Sequence, residues 1–468
     1  MKRAEERVSQ EKNAWYPWHF SPERGAIVGI HPIREKNSQL LCVCCLIGLF
    51  LGSMGIIAFG QGNDGPTYAG FASKVTGDIY GQVKVFDDID GDGKKDLVFG
   101  ATDGQVHVYS SGTGKEIMSG LWPKHTGGPI LSEVAVADLD NDGRKEVVVG
   151  SYDGKVYGLN SWGKELWAVN TRGTISQSSP EVADVEGNGN LNVFIGSKSG
   201  NVFRIDGGGR LIWEIPMTSK VSARVVTADI DGDGKKEVIC KEDGGKVSVL
   251  NLSGTPYKGW PQNTVSNEEW PFEVSTADLT GDGVKEIFTT TPDKQMIIWN
   301  SIGELQKKFP LSDGAHSAPR VADLDGDGKV EFIIAQADGV ISVVDKEGKS
   351  LPGFPYRTGH SIYSSPQIID IDGDGRLDIA FTAWNPEGTG KQAGYIMAIG
   401  RDGKALSGFP KYIGKSIAAL TFADLDGDGY LEMIAAGGIN YTDNQLQVFP
   451  TRAHVQIKMA LLGTEVSF

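Results

Sequence analysis

The sequence predicts an all-β protein: a β-propeller of eight four-stranded blades, with an N-terminal transmembrane helix ahead of it. Three observations predict it. An acidic phrase, first met as DIDGDGKKD at Asp88–Asp96, occurs eight times at a nearly constant interval. Each copy sits between short apolar stretches rich in β-branched residues. The 63 glycines among 468 residues call for many tight turns rather than long helices.

From the N-terminus, residues 1–39 carry seven Lys or Arg and five Glu, with aromatics in WYPWHF, and read as a disordered cytoplasmic leader. Residues 40–60, LLCVCCLIGLFLGSMGIIAFG, hold 21 residues and no charge, long enough to cross a bilayer as a helix. The basic residues precede the run, so the N-terminus is expected in the cytoplasm and residues 61–468 outside, in an extracellular or periplasmic space. A cleaved signal peptide, and hence a secreted protein, is the competing expectation, although the leader is long for one. Cys42, Cys44 and Cys45 stand in the run, open to lipidation or plain apolar filler. Cys240 is then the one cysteine of the main domain, which therefore holds no internal disulfide.

The phrase recurs as DLDNDGRKE, DVEGNGNLN, DIDGDGKKE, DLTGDGVKE, DLDGDGKVE, DIDGDGRLD and DLDGDGYLE, its first aspartates 50, 46, 45, 49, 45, 47 and 54 residues apart. An apolar stretch such as EVAVAD or RVVTAD leads into it, and a second, LVFG, EVVVG or EFIIA, follows. An Asp-Gly pair comes next (Asp103-Gly104, Asp153-Gly154, Asp338-Gly339) and predicts a hairpin turn with both residues at positive φ. A third strand follows (QVHVY, KVYGL, VISVV), then a turn and an aromatic beside a fourth strand, as at Trp122, Trp167, Trp213, Trp260, Phe309, Phe354 and Phe409. Four antiparallel strands at this period make a propeller blade, and residues 61–468 allow 51 residues for each of eight. Two segments compete to close the ring. YAGFASKVTG before the first phrase places Phe71 17 residues ahead of Asp88, as Trp167 stands 17 ahead of Asp184, and HVQIKMALLG lies near the C-terminus.

Alternating aspartates in a tight loop turn their carboxylates toward one centre, and a hard cation such as Ca²⁺ takes six to eight oxygens. Six copies are complete, and about six structural Ca²⁺ sites are expected. Their ligands are Asp88, Asp90, Asp92 and Asp96; Asp138, Asp140, Asp142 and Glu146; Asp229, Asp231, Asp233 and Glu237. The later three are Asp323, Asp325, Asp327 and Glu331; Asp370, Asp372, Asp374 and Asp378; Asp424, Asp426, Asp428 and Glu432. The residue after the second glycine, Lys94 in the first copy, offers a backbone carbonyl. The third copy substitutes Glu186, Asn188 and Asn192, and the fifth has Thr280, so weak binding or none is expected there. An EF-hand is excluded, since position twelve is Phe99 rather than a bidentate Glu and the flanks read as strands. A general acid–base pair is excluded because carboxylates committed to a cation have no proton to trade. The net charge of −15 argues against nucleic acid as a partner, and six Ca²⁺ would bring it to about −3.

The phrase, its period and the lead-ins at Ser178–Pro180, Ser317–Pro319 and Ser364–Pro366 resemble FG-GAP/VCBS repeats, found in integrin α-subunit N-terminal propellers and many bacterial surface proteins. The resemblance spans about residues 66–450 and is most specific at the loops; a literal Phe-Gly occurs at Phe99-Gly100. It implies a calcium-stabilised propeller used for adhesion or ligand binding. Integrin propellers have seven blades, whereas eight phrases predict eight here. The function expected is a membrane-anchored, outward-facing module that binds a protein or glycan, with Trp270, Trp299, Trp384 and Tyr441 as candidates for its binding face or for core packing. The alternative is a rhamnogalacturonan-type polysaccharide lyase on the same scaffold, for which His107, His125, His316, His360 and His454 are the available bases, none with a diagnostic neighbour. GKELW and GRLIW raise a quinone-cofactor propeller, but aromatic packing between blades accounts for them. Asn251 and Asn440 head N-glycosylation sequons.

Overall fold

The structure is a computed structural model and describes residues 68–265, 272–385, 393–438 and 444–455. The leader, the apolar run with Cys42, Cys44 and Cys45, and Trp270, Asn440 and Tyr441 lie outside the described residues. Among the described residues no helix is long and apolar enough to cross a membrane.

Eight four-stranded antiparallel sheets follow one another along the chain. The first consists of Lys84–Val85, Leu97–Gly100, Gln105–Tyr109 and Lys124–His125, paired in sequence order from the innermost strand to the outermost. The next six repeat the order over 135–170, 181–216, 226–263, 274–310, 320–357 and 367–412. The eighth takes three strands from 421–454 and its outermost from Phe71–Lys74, which runs antiparallel to Gln445–His454 with Phe71 opposite Val448. The N-terminal segment therefore closes the ring, and the two sequence candidates are decided in favour of Phe71. Thr421 Oγ1 donates to the Val83 carbonyl and Gln82 Nε2 to that of Leu420, joining the inner strands of blades 8 and 1.

The core is divided into eight seams rather than gathered in one centre. Successive strand residues point to opposite faces of a blade, and both faces are covered by neighbours, so the second and third strands are mostly apolar, with buried exceptions such as His107, Arg204 and Lys241. Val98, Val106 and Val108 of blade 1 pack with Val147 and Val149 of blade 2. Leu97, Phe99 and Tyr109 of the same strands face Ile434, Leu446 and Val448 of blade 8. Every seam repeats this arrangement between consecutive blades. Cys240 is buried and free.

The Asp-Gly hairpins form, but their turn differs from the expected one. Only the glycine has positive φ, +79° at Gly104, +81° at Gly154 and +84° at Gly339. Gly104 N–H bonds the Ala101 carbonyl and Ala101 N–H that of Gln105, so the loop is an ordinary turn capped by one left-handed residue. The extra residue lets Asp103 accept the N–H of Gln105 at 3.0 Å, a bond that a two-residue turn would not offer.

Strand order fixes which loops share an end of the ring. The acidic phrases join inner to second strands, and the turns between third and outer strands lie at the same end. The Asp-Gly hairpins and the crossings from blade to blade lie at the other. The inner strands line a channel cavity of about 470 Å³.

Candidate metal centres in the acidic loops

Each loop is folded by its own first aspartate. Asp88 Oδ1 accepts the N–H of Gly91 at 2.7 Å and Asp88 Oδ2 that of Gly93 at 2.9 Å. Asp90 Oδ1 accepts from Asp92, and Asp92 Oδ1 from Lys94. Gly91 and Gly93 adopt φ of +77° and +86°, which bends the chain tightly enough to bring these groups together. Asp229, Asp323, Asp370 and Asp424 hold the corresponding two glycine N–H groups at 2.7–3.2 Å. In blade 2 the left-handed place is taken by Asn141, at φ 60°.

The closing acid comes from the start of the second strand and is buried. Asp96 and Glu432 are both 0% exposed, and Glu146, Glu237, Glu331 and Asp378 are nearly so. One oxygen of each accepts the N–H two places into the phrase: Ile89 to Asp96 at 2.7 Å, Leu139 to Glu146, Ile230 to Glu237, Leu324 to Glu331, Ile371 to Asp378 and Leu425 to Glu432. Among the described residues Asp96 Oδ1 and Glu432 Oε1 are buried with no hydrogen-bond partner. Burial, with the neighbouring aspartates adding to it, pushes all six closing carboxyls up to about 7.

The ligand atoms of Asp88, Asp90 and Asp96 lie within 4.8 Å of one another, as do those of Asp138, Asp140 and Glu146, of Asp229, Asp231 and Glu237, and of Asp323, Asp325 and Glu331. In blade 7 the gathered set is Asp370, Asp372 and Asp374. The third acids Asp92, Asp142, Asp233 and Asp327 stand outside those four sets, each accepting the N–H two residues on. These donor sets are all oxygen, anionic and close, and the first contains an orphaned buried oxygen, that of Asp96. They fit a hard divalent cation such as Ca²⁺.

The third and fifth loops depart as their sequences suggest. Asp278 still holds Gly281 and Gly283, and Glu286 accepts from Leu279, but Thr280 replaces an acid. In the third loop Asp184 holds Gly189, while Glu186 and Asn192 are engaged by Arg204, at 2.7 Å each. Arg204 escaped sequence reasoning; its signal was a charge inside the otherwise apolar stretch NVFRID.

The other candidates are scattered. His107 is buried with both ring nitrogens on carboxylates, Glu116 at 2.6 Å and Asp103 at 3.1 Å. His316 packs between Phe272 and Tyr363, His360 against Tyr395 and His454 against Tyr430, whereas His125 is on an exposed outer strand. Trp299 and Trp384 are buried, which assigns both to packing rather than to an open binding face. Trp167 and Trp213 donate their indole N–H groups to the Gly207 and Leu252 carbonyls of the next blade.

A second set of charges, unremarked in the sequence, meets in the channel. Lys84 pairs with Glu133 at 2.9 Å and Arg224 with Glu181 at 2.7 Å. Glu273 accepts the N–H of Ala318, and Arg320 interacts electrostatically with Glu273 and Glu133. Burial opposes charge at Glu133, yet Lys84 and Arg224 hold its carboxyl below the usual range.

Comparison with known proteins agrees with this architecture. A family profile described as FG-GAP-like repeat matches residues 88–149, 229–289, 323–381 and 370–435, just over half of the chain. Among solved structures, the V. cholerae biofilm matrix protein Bap1 superposes with a TM-score of 0.57 at 12% identity, covering 82% of this chain and 89% of that one. BamB from Moraxella catarrhalis gives 0.50 at 15% identity, covering 81% and 97%. At these identities the likeness is one of fold. No curated protein sequence matches the chain.

Proposed function

The chain belongs to the FG-GAP-like repeat family, and from that premise we propose a membrane-anchored binding module whose propeller is stabilised by Ca²⁺ and faces outward. One observation carries the metal assignment. Six closing carboxyls are raised by burial and further by the neighbouring aspartates, so full ionisation of each loop is costly until positive charge arrives. A bound Ca²⁺ supplies that charge and ties the inner strand of a blade to its second strand. Asp88, Asp90 and Asp96, with the Lys94 carbonyl, would hold it in blade 1, and the corresponding residues would hold it in blades 2, 4, 6, 7 and 8.

The ligand is a protein or a glycan, bound by the propeller's exposed loops. Residues 40–60 anchor the chain, with its N-terminus in the cytoplasm; secretion after cleavage is the other outcome of the same apolar run. An outward location suits the loops, because extracellular modules of this kind bind Ca²⁺ at about 10⁻⁴–10⁻³ M, far weaker than cytosolic calcium would fill.

Calorimetric titration of Ca²⁺ into the chelator-treated protein, with a melting curve at each end, tests the metal. About six ions and a higher melting temperature are expected; none or one, with an unchanged melt, would reduce the loops to turns. Retention of the protein in the membrane pellet after carbonate extraction, with the propeller open to added protease on intact cells, tests the anchor. Recovery of the mature chain, lacking residues 1–60, from the medium would replace it with secretion.

A further inference from the structure

We infer that the third loop takes no metal, because the guanidinium of Arg204 stands in place of the cation and locks the seam between blades 3 and 4 independently of calcium. The strand register makes the case. In every blade one residue of the third strand pairs with the residue two places after the closing acid and points into the seam with the next blade. That residue is Val108, Gly158, Val249, Ile298, Val343, Ala398 or Val448 in seven blades, and Arg204, opposite Phe194, in the third. The one blade whose phrase has lost its closing acid, Asn192 for Asp or Glu, is the one with a cation at this position.

The contacts match the exchange. Arg204 is 6% exposed, and its Nε donates to Asn192 Oδ1 at 2.7 Å, its NH2 to Glu186 Oε1 at 2.7 Å and its NH1 to the Leu252 carbonyl of blade 4 at 2.9 Å. Asn192 and Glu186 occupy the closing and second-acid places, which in blades 1, 2, 4 and 6 belong to the gathered ligand sets. The guanidinium also lies over the Phe194 ring, 6.0 Å from its centre. A guanidinium never deprotonates in this range and forks between two acceptors, so it satisfies oxygens that would otherwise need a metal. A divalent ion added beside it would meet a fixed positive charge and an amide in place of a carboxylate. The other loops depend on an ion that a chelator removes; this one is tied covalently to its own strand and reaches into the next blade.

The inference rests on the calcium reading of the other loops for its first test and is independent of it for its second. Bound calcium is counted on the full-length protein after dialysis at millimolar calcium, for wild type, Asp88→Asn and Asp184→Asn. Asp88→Asn is expected to lose one ion and Asp184→Asn none; loss of an ion from Asp184→Asn overturns the inference. The fourfold variant Glu186→Asp, Asn188→Asp, Asn192→Glu, Arg204→Val is expected to gain one ion, and a folded variant with the wild-type count overturns it. Hydrogen exchange in EGTA is the second test. Amides of 192–205 should stay protected in wild type while the matching segments of the blades with complete loops exchange faster, and Arg204→Val should speed 192–205 at least tenfold. If wild type binds no calcium at all, the calcium reading fails and this last comparison decides alone: acceleration by Arg204→Val keeps the arginine lock, and unchanged exchange removes it.

Discussion

The loop end of the ring and its axial channel handle charge in opposite ways. At the loop end, copies of one phrase bring acids together with acids, and each cluster is closed within nine residues of chain. In the channel, the blades contribute different residues at two neighbouring places: Lys84, Glu181 and Arg320 at one, and Glu133, Arg224 and Glu273 two residues earlier, three of each sign. The channel charges neutralise one another across blades, through the pairs Lys84–Glu133 and Arg224–Glu181. The loops cannot do this, because repetition multiplies one sign. On the calcium proposal a repeated acidic motif takes its balancing charge from an external cation, whereas a divergent position can be balanced from within. Blade 3 is the exception that crosses over, a loop balanced from within by Arg204.

The largest expected effect breaks the loop end alone. At about 1 mM calcium, a site of the affinity expected for extracellular modules contributes roughly 0.4–1.4 kcal/mol, so six sites together contribute about 2.5–8 kcal/mol. Chelation should lower the melting temperature by several degrees and leave the channel pairs intact. The pH slope sharpens the point. In calcium-free protein the closing carboxyls, raised to about 7, hold protons that the unfolded chain has already lost. Stability should fall as pH rises from about 4.5 through 7. With calcium bound, protons compete with the ion, and stability should rise over the same interval. Melting curves at pH 5, 6 and 7 with and without calcium read both slopes; parallel slopes would contradict the assignment.

The next effect breaks the channel and spares the loops. Arg224→Met leaves Glu181, itself buried, with the Thr227 hydroxyl as its remaining side-chain partner at 3.0 Å. The expected cost is about 2–3 kcal/mol, at or below the low end for a broken buried pair because Arg224 is partly open to the channel. The number of bound calcium ions should not change. A lost ion would mean that the two ends of the ring are coupled.

Asp88→Asn is smaller again, a loss of one ion and about 0.4–1.4 kcal/mol. The contrast explains what was legible in the sequence. Asp88 acts on Gly91 and Gly93, three and five residues away, so spacing alone reveals its part. The same holds for the blade strands, whose period and turns repeat. Glu181 meets Arg224 across 43 residues and a blade boundary, and no local pattern marks the pair. Arg204 lies between these cases: it is 12 residues from Asn192, but the two become neighbours only through the pairing of adjacent strands. Ring closure was ambiguous because both terminal segments alternate like strands, and only the pairing of Phe71–Lys74 with Gln445–His454 decides it, residues 456–463 lying outside the described residues. The turn at Asp103-Gly104 was recognised in place but misread in type, since the dipeptide cannot tell a two-residue turn from one with a left-handed cap.

The smallest expected effect comes from a charge balanced locally, like the channel, but within one blade. His107 lies buried on the third strand of blade 1, near the Asp-Gly hairpin and away from the acidic loops. Burial disfavours its charge, but hydrogen bonds from its ring to Asp103 and Glu116 prevail and raise its pKa above the ordinary 6.5. The folded state thus binds the proton more tightly than the unfolded chain. The stabilisation is complete below about 6.5 and is lost as pH rises through the higher folded value. His107→Gln should remove that loss, so that between pH 6.5 and 9 the variant's melting temperature declines less than that of wild type, by about one or two degrees. Because Asp103 and Glu116 supply the balancing charge, the difference between variant and wild type should be the same in calcium and in EGTA. A difference that appears only in EGTA would tie this histidine to the metal loops and erase the separation between the two ends of the ring.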